Sequence, residues 1–188
     1  MKTEPVSVND ARELLDIYAY YVKETAVSFE YEVPLLNEFE ERIYNISAKY
    51  PYIKAVDDNG LILGYAYAGC FKNRAAYDWS VETTVYVRKD MRKKGIGRML
   101  YNELERLLRN MGILNMNACI AVTKNEDEYL KNDSVFFHEK MGFKTVGTFH
   151  KSGYKFDRWY DMIWMEKMTG EHSSPQKNVR FGEWRKSF

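Results

Sequence analysis

The chain is poor in the residues that most often announce a special environment. It holds two cysteines, Cys70 and Cys119, and three histidines among 188 residues. Two cysteines cannot build the disulfide framework of a small secreted scaffold, and a reduced, cytoplasmic protein is the simplest reading. Both are expected to be small buried hydrophobes. No spacing pairs either one with a base, which leaves no plausible cysteine nucleophile. The histidines show no metal-ligand pattern, so no metal is expected. Charge of one sign is also missing. A formal net charge of +1 makes no case for a dedicated nucleic-acid binder. Met1 to Leu15 alternate polar and charged types without an apolar h-region, so no signal peptide is expected. The longest apolar-leaning run, Leu61 to Phe71, is too short to span a bilayer, and no membrane partner is expected. There is no internal repeat and no low-complexity tract.

What is present fits one soluble domain with a real core: 45% apolar and 29% charged residues, both ordinary values. Fifteen tyrosines suggest pockets or interfaces where a ring needs one wet edge. Asp10 with Glu13 reads as a capping box. It is followed by a helical face of Leu14, Leu15, Tyr18, Ala19 and Val22. Asn37 with Glu40 suggests a second helix start, with Phe39, Ile43 and Ile46 on the buried side. Tyr52–Val56 and Leu61–Ala68 read as strands joined at the turn Asp57-Asp58-Asn59-Gly60. A third strand is expected over Tyr77–Val87, a helix from Gly95 to near Gly112, and a strand over Leu114–Val122. Thr123–Asn132 reads as a loop and Ser134–Met141 as a short helix stopped by Gly142. Strands follow at Phe143–Phe149 and Trp159–Met168, with Lys151–Arg158 a polar connection. The order makes a mixed α/β (α+β) single domain over residues 1–168 with a tail at 169–188 that either packs back or stays mobile.

The most informative stretch is Val81 to Arg98. A β-rich run ends in a basic, glycine-bearing turn that opens onto an amphipathic helix carrying Ile96, Leu100, Leu104, Leu107 and Met111. A helix start offers unpaired N–H groups and the positive end of a dipole. Gly95 and Gly97 let a phosphate approach the backbone, and Arg92, Lys93, Lys94 and Arg98 add charge. This reads as a pyrophosphate cradle. A dinucleotide fingerprint needs a third glycine where Leu100 stands, and a P-loop needs a Gly-Lys-Ser/Thr triplet that is missing.

The remaining pattern, Arg-x-x-Gly-x-Gly between strand and helix, resembles the acyl-CoA signature of the GNAT superfamily of N-acetyltransferases. Longer strings resemble the phosphinothricin acetyltransferase family, which includes methionine sulfoximine acetyltransferases. They are Tyr65-Ala66-Tyr67-Ala68-Gly69 with Lys72-Asn73-Arg74, Tyr77 through Val87, His138-Glu139-Lys140-Met141-Gly142-Phe143, and Gly153-Tyr154-Lys155 with Trp159 and Asp161. The resemblance covers about residues 10 to 168. It implies a GNAT fold with a mostly antiparallel mixed sheet, splayed central strands and flanking helices. It also implies acetyl-CoA as donor, a small amino-acid-like amine with an anionic group as acceptor, and a homodimer. The segment between Val122 and Ser134 is longer and more acidic than the family pattern.

Amide formation from a thioester needs a deprotonated amine, a polarised carbonyl and a stabilised leaving thiolate. Glu82 is the candidate base. Its apolar neighbours Trp79, Val81, Val85 and Tyr86 would raise a carboxylate pKa toward working pH. On spacing alone it equally reads as a solvent-facing residue of an alternating strand. His138 stands, by the resemblance, where many GNAT enzymes carry a tyrosine that protonates the thiolate; read as a lone histidine, it is a core or capped residue. The resemblance further implies that Val85, Tyr86 and Val87 offer main-chain groups to pantetheine like an added strand. It places the diphosphate on Arg92, Lys93, Lys94, Gly95, Ile96, Gly97 and Arg98. Asn125, Asn132 and Ser134 are candidates for contact with the pantetheine arm. Lys72 and Arg74 are placed as an anion clamp, with Phe29, Tyr77 and Tyr86 as acceptor walls. Gly153, Tyr154, Lys155 and Trp159 border either that pocket or the dimer contact. Two other readings stay open: an acetyltransferase for a protein N-terminus, polyamine or aminoglycoside, and a non-catalytic acyl-CoA-binding module. Lys72 and Arg74 argue against cationic acceptors.

Overall fold

The computed structural model describes residues 1–188. One seven-stranded sheet organises the chain. Its strands are β1 (Lys2–Pro5), β2 (Tyr52–Val56), β3 (Ile62–Cys70), β4 (Ser80–Val87), β5 (Asn115–Val122), β6 (Lys144–Lys155) and β7 (Arg158–Met168). They lie in the order β1-β2-β3-β4-β5-β7-β6. Every neighbouring pair is antiparallel except β4 and β5. A parallel pair needs a crossover, which is the helix α3 (Ile96–Met111).

Helices α1 (Ala11–Glu24) and α2 (Leu36–Ser47) cover one face of the sheet. Leu14, Tyr18 and Val22 of α1 meet Phe39 and Ile43 of α2 over Tyr52, Val56 and Tyr65. On the other face Leu100, Leu104 and Leu107 of α3 pack on Ile53, Ala66, Ala68, Val81, Met116 and Ala118. The small residues at Ala66 and Ala68 let α3 lie close to the strands. α3 is bounded by two glycines in the left-handed region, Gly95 (φ 84°) and Gly112 (φ 92°), as its sequence suggests.

Several sequence-based expectations are corrected. Asp10 does not cap with Glu13. Its carboxylate accepts from Ser7 N at 2.8 Å and from Lys54 Nζ at 2.6 Å, so the capping pair forms one turn earlier and the charge is already engaged. α2 begins at Leu36 with Leu35 in the cap position, directly after Pro34, rather than at Asn37. The segment Lys2–Pro5, too polar to read as a strand, is an edge strand laid on β2. β4 begins at Ser80, because Ala75–Tyr77 turn as a short 3-10 segment. The polar stretch Lys151–Lys155 belongs to β6, and the connection to β7 shrinks to Phe156 and Asp157, both at positive φ. Neither cysteine is a buried core residue; Cys70 and Cys119 are exposed, unpaired thiols.

The tail packs back on the body. Trp184 is 1% exposed and sits in the α3-side core. Its indole N–H donates to Ser47 O at 3.3 Å. Arg180 N and Gly182 N bond Met111 O and Lys49 O, and Phe181 meets the Tyr50 ring at 5.5 Å. The helix between β5 and β6 is α4 (Asp133–Lys140). No helix is long and apolar enough to cross a membrane.

Candidate active site

The site forms where the sheet comes apart. β4 and β5 share only three register positions, Ser80↔Asn115, Val81↔Met116 and Glu82↔Asn117. β4 then continues along β3 as far as Val87↔Gly64, while β5 continues along β7 as far as Val122↔Asp161. Two side chains stitch the junction. Thr83 Oγ1 donates to Asn117 O at 3.1 Å, and Asn117 Nδ2 donates to Val81 O at 3.1 Å. Beyond them the strands diverge. Val85, Tyr86 and Val87 therefore lie on a strand no longer paired to β5; the Tyr86 main chain faces β3, while that of Val85 and Val87 faces the open side, the position in which an added strand-like ligand finds partners. Val87 is an exception: both its N–H and its C=O are engaged by the Tyr21 hydroxyl, at 3.3 and 2.5 Å.

Glu82 sits at the junction itself, half-buried. Burial raises its pKa, and the nearby Lys72 ammonium opposes part of that rise. The same neighbourhood holds Cys119, whose thiol is pushed up to about 11 by desolvation of the sulfur and by the Glu82 charge. A thiol so held stays protonated near neutral pH and offers no nucleophile. Lys72 lies 5.1 Å from the Phe71 ring centroid and 5.6 Å from that of Trp164. Phe71 in turn meets Tyr77 at 5.9 Å and Trp164 at 5.5 Å. Lys72, Tyr77 and Glu82 are thus brought together by one aromatic corner. Arg74 is exposed on the same connection.

Phe29 lies elsewhere along this face, in the loop between α1 and α2, with its ring 6.4 Å from Tyr160. Trp164 and Tyr160 are four residues apart on β7, which spans about 13 Å of strand. Cys119 and Ala121 are the β5 partners of Trp164 and Met162, so a stretch of small β5 side chains lies between the Lys72 corner and Phe29. Tyr86 is half-buried and closed in by Tyr18, Tyr21 and Tyr65, with ring centroids 5.0, 4.9 and 5.5 Å away.

The basic turn follows β4. Lys93 (φ 63°) and Gly95 (φ 84°) turn the backbone before α3, a succession of conformations that points N–H groups to one side. No side chain caps the first turn of α3. Arg92, Lys93, Lys94, Gly95 and Arg98 are exposed and Ile96 is buried. Gly97 is close-packed, since a Cβ there would lie 3.3 Å from the Phe137 ring. An uncapped helix start rimmed by four cations fits a diphosphate.

His138 is the candidate the structure changes most. It is 4% exposed on α4. Nδ1 is 2.7 Å from Ser134 O and donates to it, which leaves Nε2 to accept from the Tyr101 hydroxyl at 2.9 Å. The Tyr101 oxygen is 3.3 Å from Thr83 Oγ1. Burial lowers the His138 pKa to about 4, so the ring is neutral near pH 7. It connects with the junction only through Tyr101 and Thr83. Ser134 has its main chain occupied by His138. Asn132 stands at the start of α4 without capping it through its side chain, since its amide is committed to Thr123, accepting from its N–H at 3.2 Å and donating to its C=O at 3.0 Å. Asn125 is exposed, and its main-chain oxygen accepts from Thr123 Oγ1.

The sequence reading missed Tyr21, Thr83, Tyr101, Asn117, Cys119 and Trp164. Trp164 and Cys119 were within reach, because period-two alternation on adjacent strands puts them on one face. The others act across elements, and only the packed fold joins them.

A family model described as "Acetyltransferase (GNAT) domain" matches residues 5–164. The chain belongs to the GNAT acetyltransferase family, and the fold is a GNAT fold. It is an acetyltransferase, of the acyltransferase class. The phosphinothricin N-acetyltransferase of Streptomyces viridochromogenes is 32% identical over 182 residues, covering 96% of this chain and 93% of that protein. The L-methionine sulfoximine/L-methionine sulfone acetyltransferase of Pseudomonas paraeruginosa is 35% identical over 117 residues, covering 62% and 64%. The crystal structure of a phosphinothricin acetyltransferase from Sinorhizobium meliloti, in complex with AcCoA, superposes with a TM-score of 0.85 at 30% identity, covering 95% of this chain and 93% of that one.

Proposed function

We propose that this enzyme moves an acetyl group from acetyl-CoA to the primary amine of a small amino acid or analogue that carries an anionic group, of the phosphinothricin or methionine sulfoximine type. The observation that carries the reading is Glu82, a half-buried carboxyl with a raised pKa, standing where β4 and β5 part and beside a cation, Lys72. The relatives' named activities and the diphosphate-ready start of α3 support the same donor.

In this reading Arg92, Lys93, Lys94, Arg98 and the main chain from Gly95 to Gly97 hold the diphosphate. The edge from Val85 to Val87 aligns the pantetheine arm, and Asn125 borders it. When bound, acetyl-CoA supplies an activated thioester. Glu82 takes a proton from the ammonium and frees the nitrogen lone pair. The N–C bond then forms as the C–S bond breaks. Of the two protons the ammonium gives up, one ends on the leaving sulfur and one is released. Lys72 and Arg74 bind the acceptor's anionic group, and Phe29, Tyr77 and Tyr86 wall its side chain. His138 stands behind Tyr101 as a neutral acceptor that takes the Tyr101 hydroxyl hydrogen bond and so fixes that ring beside Thr83 at the junction. With Cys119 held as a thiol, attack is direct, in a ternary complex. The supporting experiment measures CoA thiol release across an amine panel. Anionic amino acids should be turned over with intersecting initial-rate lines; parallel lines would require an acyl-enzyme.

A second copy of the chain fits β6. This twelve-residue edge strand is exposed along most of its length, and Phe149, Tyr154 and the neighbouring Trp159 stand in solvent. Such an edge is ordinarily covered, and a homodimer would cover it. Two free thiols are compatible with a cytoplasmic protein, where thiols stay reduced.

A further inference from the structure

Lys155 is the most unusual charge outside the site. It is 2% exposed, and no carboxylate lies within salt-bridge distance. Its ammonium has three donors, and all three are used on main-chain carbonyls: Val22 at 2.7 Å, Thr25 at 2.9 Å and Ser28 at 2.6 Å. Val22 lies in the last turn of α1, Thr25 caps it, and Ser28 is in the loop beyond. One side chain from β6 thus satisfies the open C-terminal end of a helix and fixes where the following loop begins. The positive charge also meets the negative end of the α1 dipole. Burial lowers the Lys155 pKa.

Two residues before Lys155, Gly153 faces the same loop. A Cβ at that position would lie 2.2 Å from ring carbons of Phe29, so the Phe29 ring occupies the space a side chain would need. A third tie runs from the Tyr31 hydroxyl to Tyr154 O at 2.5 Å. The longer acidic segment joins the assembly rather than facing solvent freely. Ala26 N donates to Tyr129 O at 3.0 Å, and Asp127 accepts from Tyr160 at 3.1 Å and pairs with Arg158 at 2.9 Å.

We infer that Lys155 and Gly153 are positioning residues for acceptor recognition: Lys155 fixes the end of α1, Gly153 admits the Phe29 ring, and together they place the acceptor wall. The inference rests on the proposed function only in taking Phe29 as part of that wall. It turns the Gly153-Tyr154-Lys155 string from a border of two alternative uses into the anchor of the loop that bears Phe29. The specificity of the enzyme for acceptor size then depends on residues that touch no substrate.

The test uses Gly153→Ala and Lys155→Met in the full chain. Acetyl-CoA and acceptor KM are measured for each, and the Phe29 ring is followed by fluorine NMR of protein containing 4-fluorophenylalanine. Its resonance is identified by its loss in Phe29→Leu. The expected result is a shifted Phe29 resonance and an acceptor KM raised on the order of tenfold, with acetyl-CoA KM unchanged. If Lys155→Met does not fold, Gly153→Ala decides alone, because the nearest atoms its Cβ would meet all belong to the Phe29 ring. An unmoved resonance, an unchanged acceptor KM, or an equal rise in both KM values overturns the inference. If the parent enzyme acetylates no anionic amine, the proposed function fails instead, and the resonance still decides whether these residues place Phe29.

Discussion

The hydroxyl of Tyr21 holds both main-chain groups of Val87, accepting from its N–H and donating to its C=O. Val87 lies on the part of β4 that has left β5, among the residues proposed to pair with pantetheine. On that proposal a helix side chain and the donor substrate compete for one strand edge. Tyr21→Phe removes the competitor and keeps the ring, which packs on Tyr86. Acetyl-CoA should bind a few-fold more tightly in this variant, since a net hydrogen bond contributes about 0.5–1.5 kcal/mol. Calorimetric titration with acetyl-CoA reads this directly; weaker binding would mean that Tyr21 belongs to the donor site rather than opposing it.

Lys72 acts on Glu82 as well as on the proposed acceptor. Its charge holds the Glu82 pKa below the level burial alone would set. Lys72→Ala should therefore move the acid limb of the kcat/KM profile to higher pH. It should also raise acceptor KM about tenfold or more, the loss of one charge-assisted contact of about 1.5–3 kcal/mol. Acetyl-CoA KM should stay put. A pH profile that does not move would separate Lys72 from Glu82.

His138 makes stability depend on pH. Its folded pKa of about 4 lies below the ordinary value of 6.5. Between those values the unfolded chain binds the proton and the folded one does not, so stability falls as the pH drops from 6.5 toward 4. Above 6.5 the residue contributes no pH dependence. His138→Gln should flatten the fall in melting temperature over this window relative to the parent. An unchanged slope would show that the ring is not held neutral in the fold.

The tail bears on stability through Trp184. Trp184→Ala removes a buried indole and should destabilise by about 3–5 kcal/mol. That corresponds to a drop in melting temperature on the order of 10 °C for a chain of this size. A shift of a degree or two in differential scanning calorimetry would place the tail outside the cooperative unit.

How far the sequence foretold this molecule depended on whether a signal was local. α3 could be read because its apolar spacing and its two glycines act within the helix itself. The hairpin of β2 and β3 could be read from Asp57-Asp58-Asn59-Gly60, although β3 runs to Cys70 rather than Ala68. Lys2–Pro5 could not, since a four-residue edge strand of mostly polar, half-buried residues has no apolar alternation to display. Lys151–Lys155 failed for the same reason: β6 is solvent-facing on most positions, and its composition is that of a loop. In the site, Glu82 and the basic turn were legible from the strand-turn-helix order. His138 was found, but its setting was not, because Tyr101 lies 37 residues away in the chain and only tertiary packing brings its hydroxyl to the ring. Cys119 is exposed because Met116, Ala118 and Ile120 take the buried side of β5 and leave it on the other, and Cys70 is exposed because it ends β3.

Glu82→Gln in a pH-resolved assay of CoA release tests the central claim most directly. The substituted amide keeps the shape and loses the base, so kcat with a saturating anionic amine should fall by about 10²–10⁴-fold, while calorimetry shows acetyl-CoA binding unchanged. The raised pKa of Glu82 means that the folded protein carries an unfavourable charge once the pH exceeds that pKa. The substitution should accordingly leave the protein as stable as the parent or more so at neutral pH. Turnover that survives Glu82→Gln with every accepted amine would contradict the assignment of the base and the reading of the junction built on it.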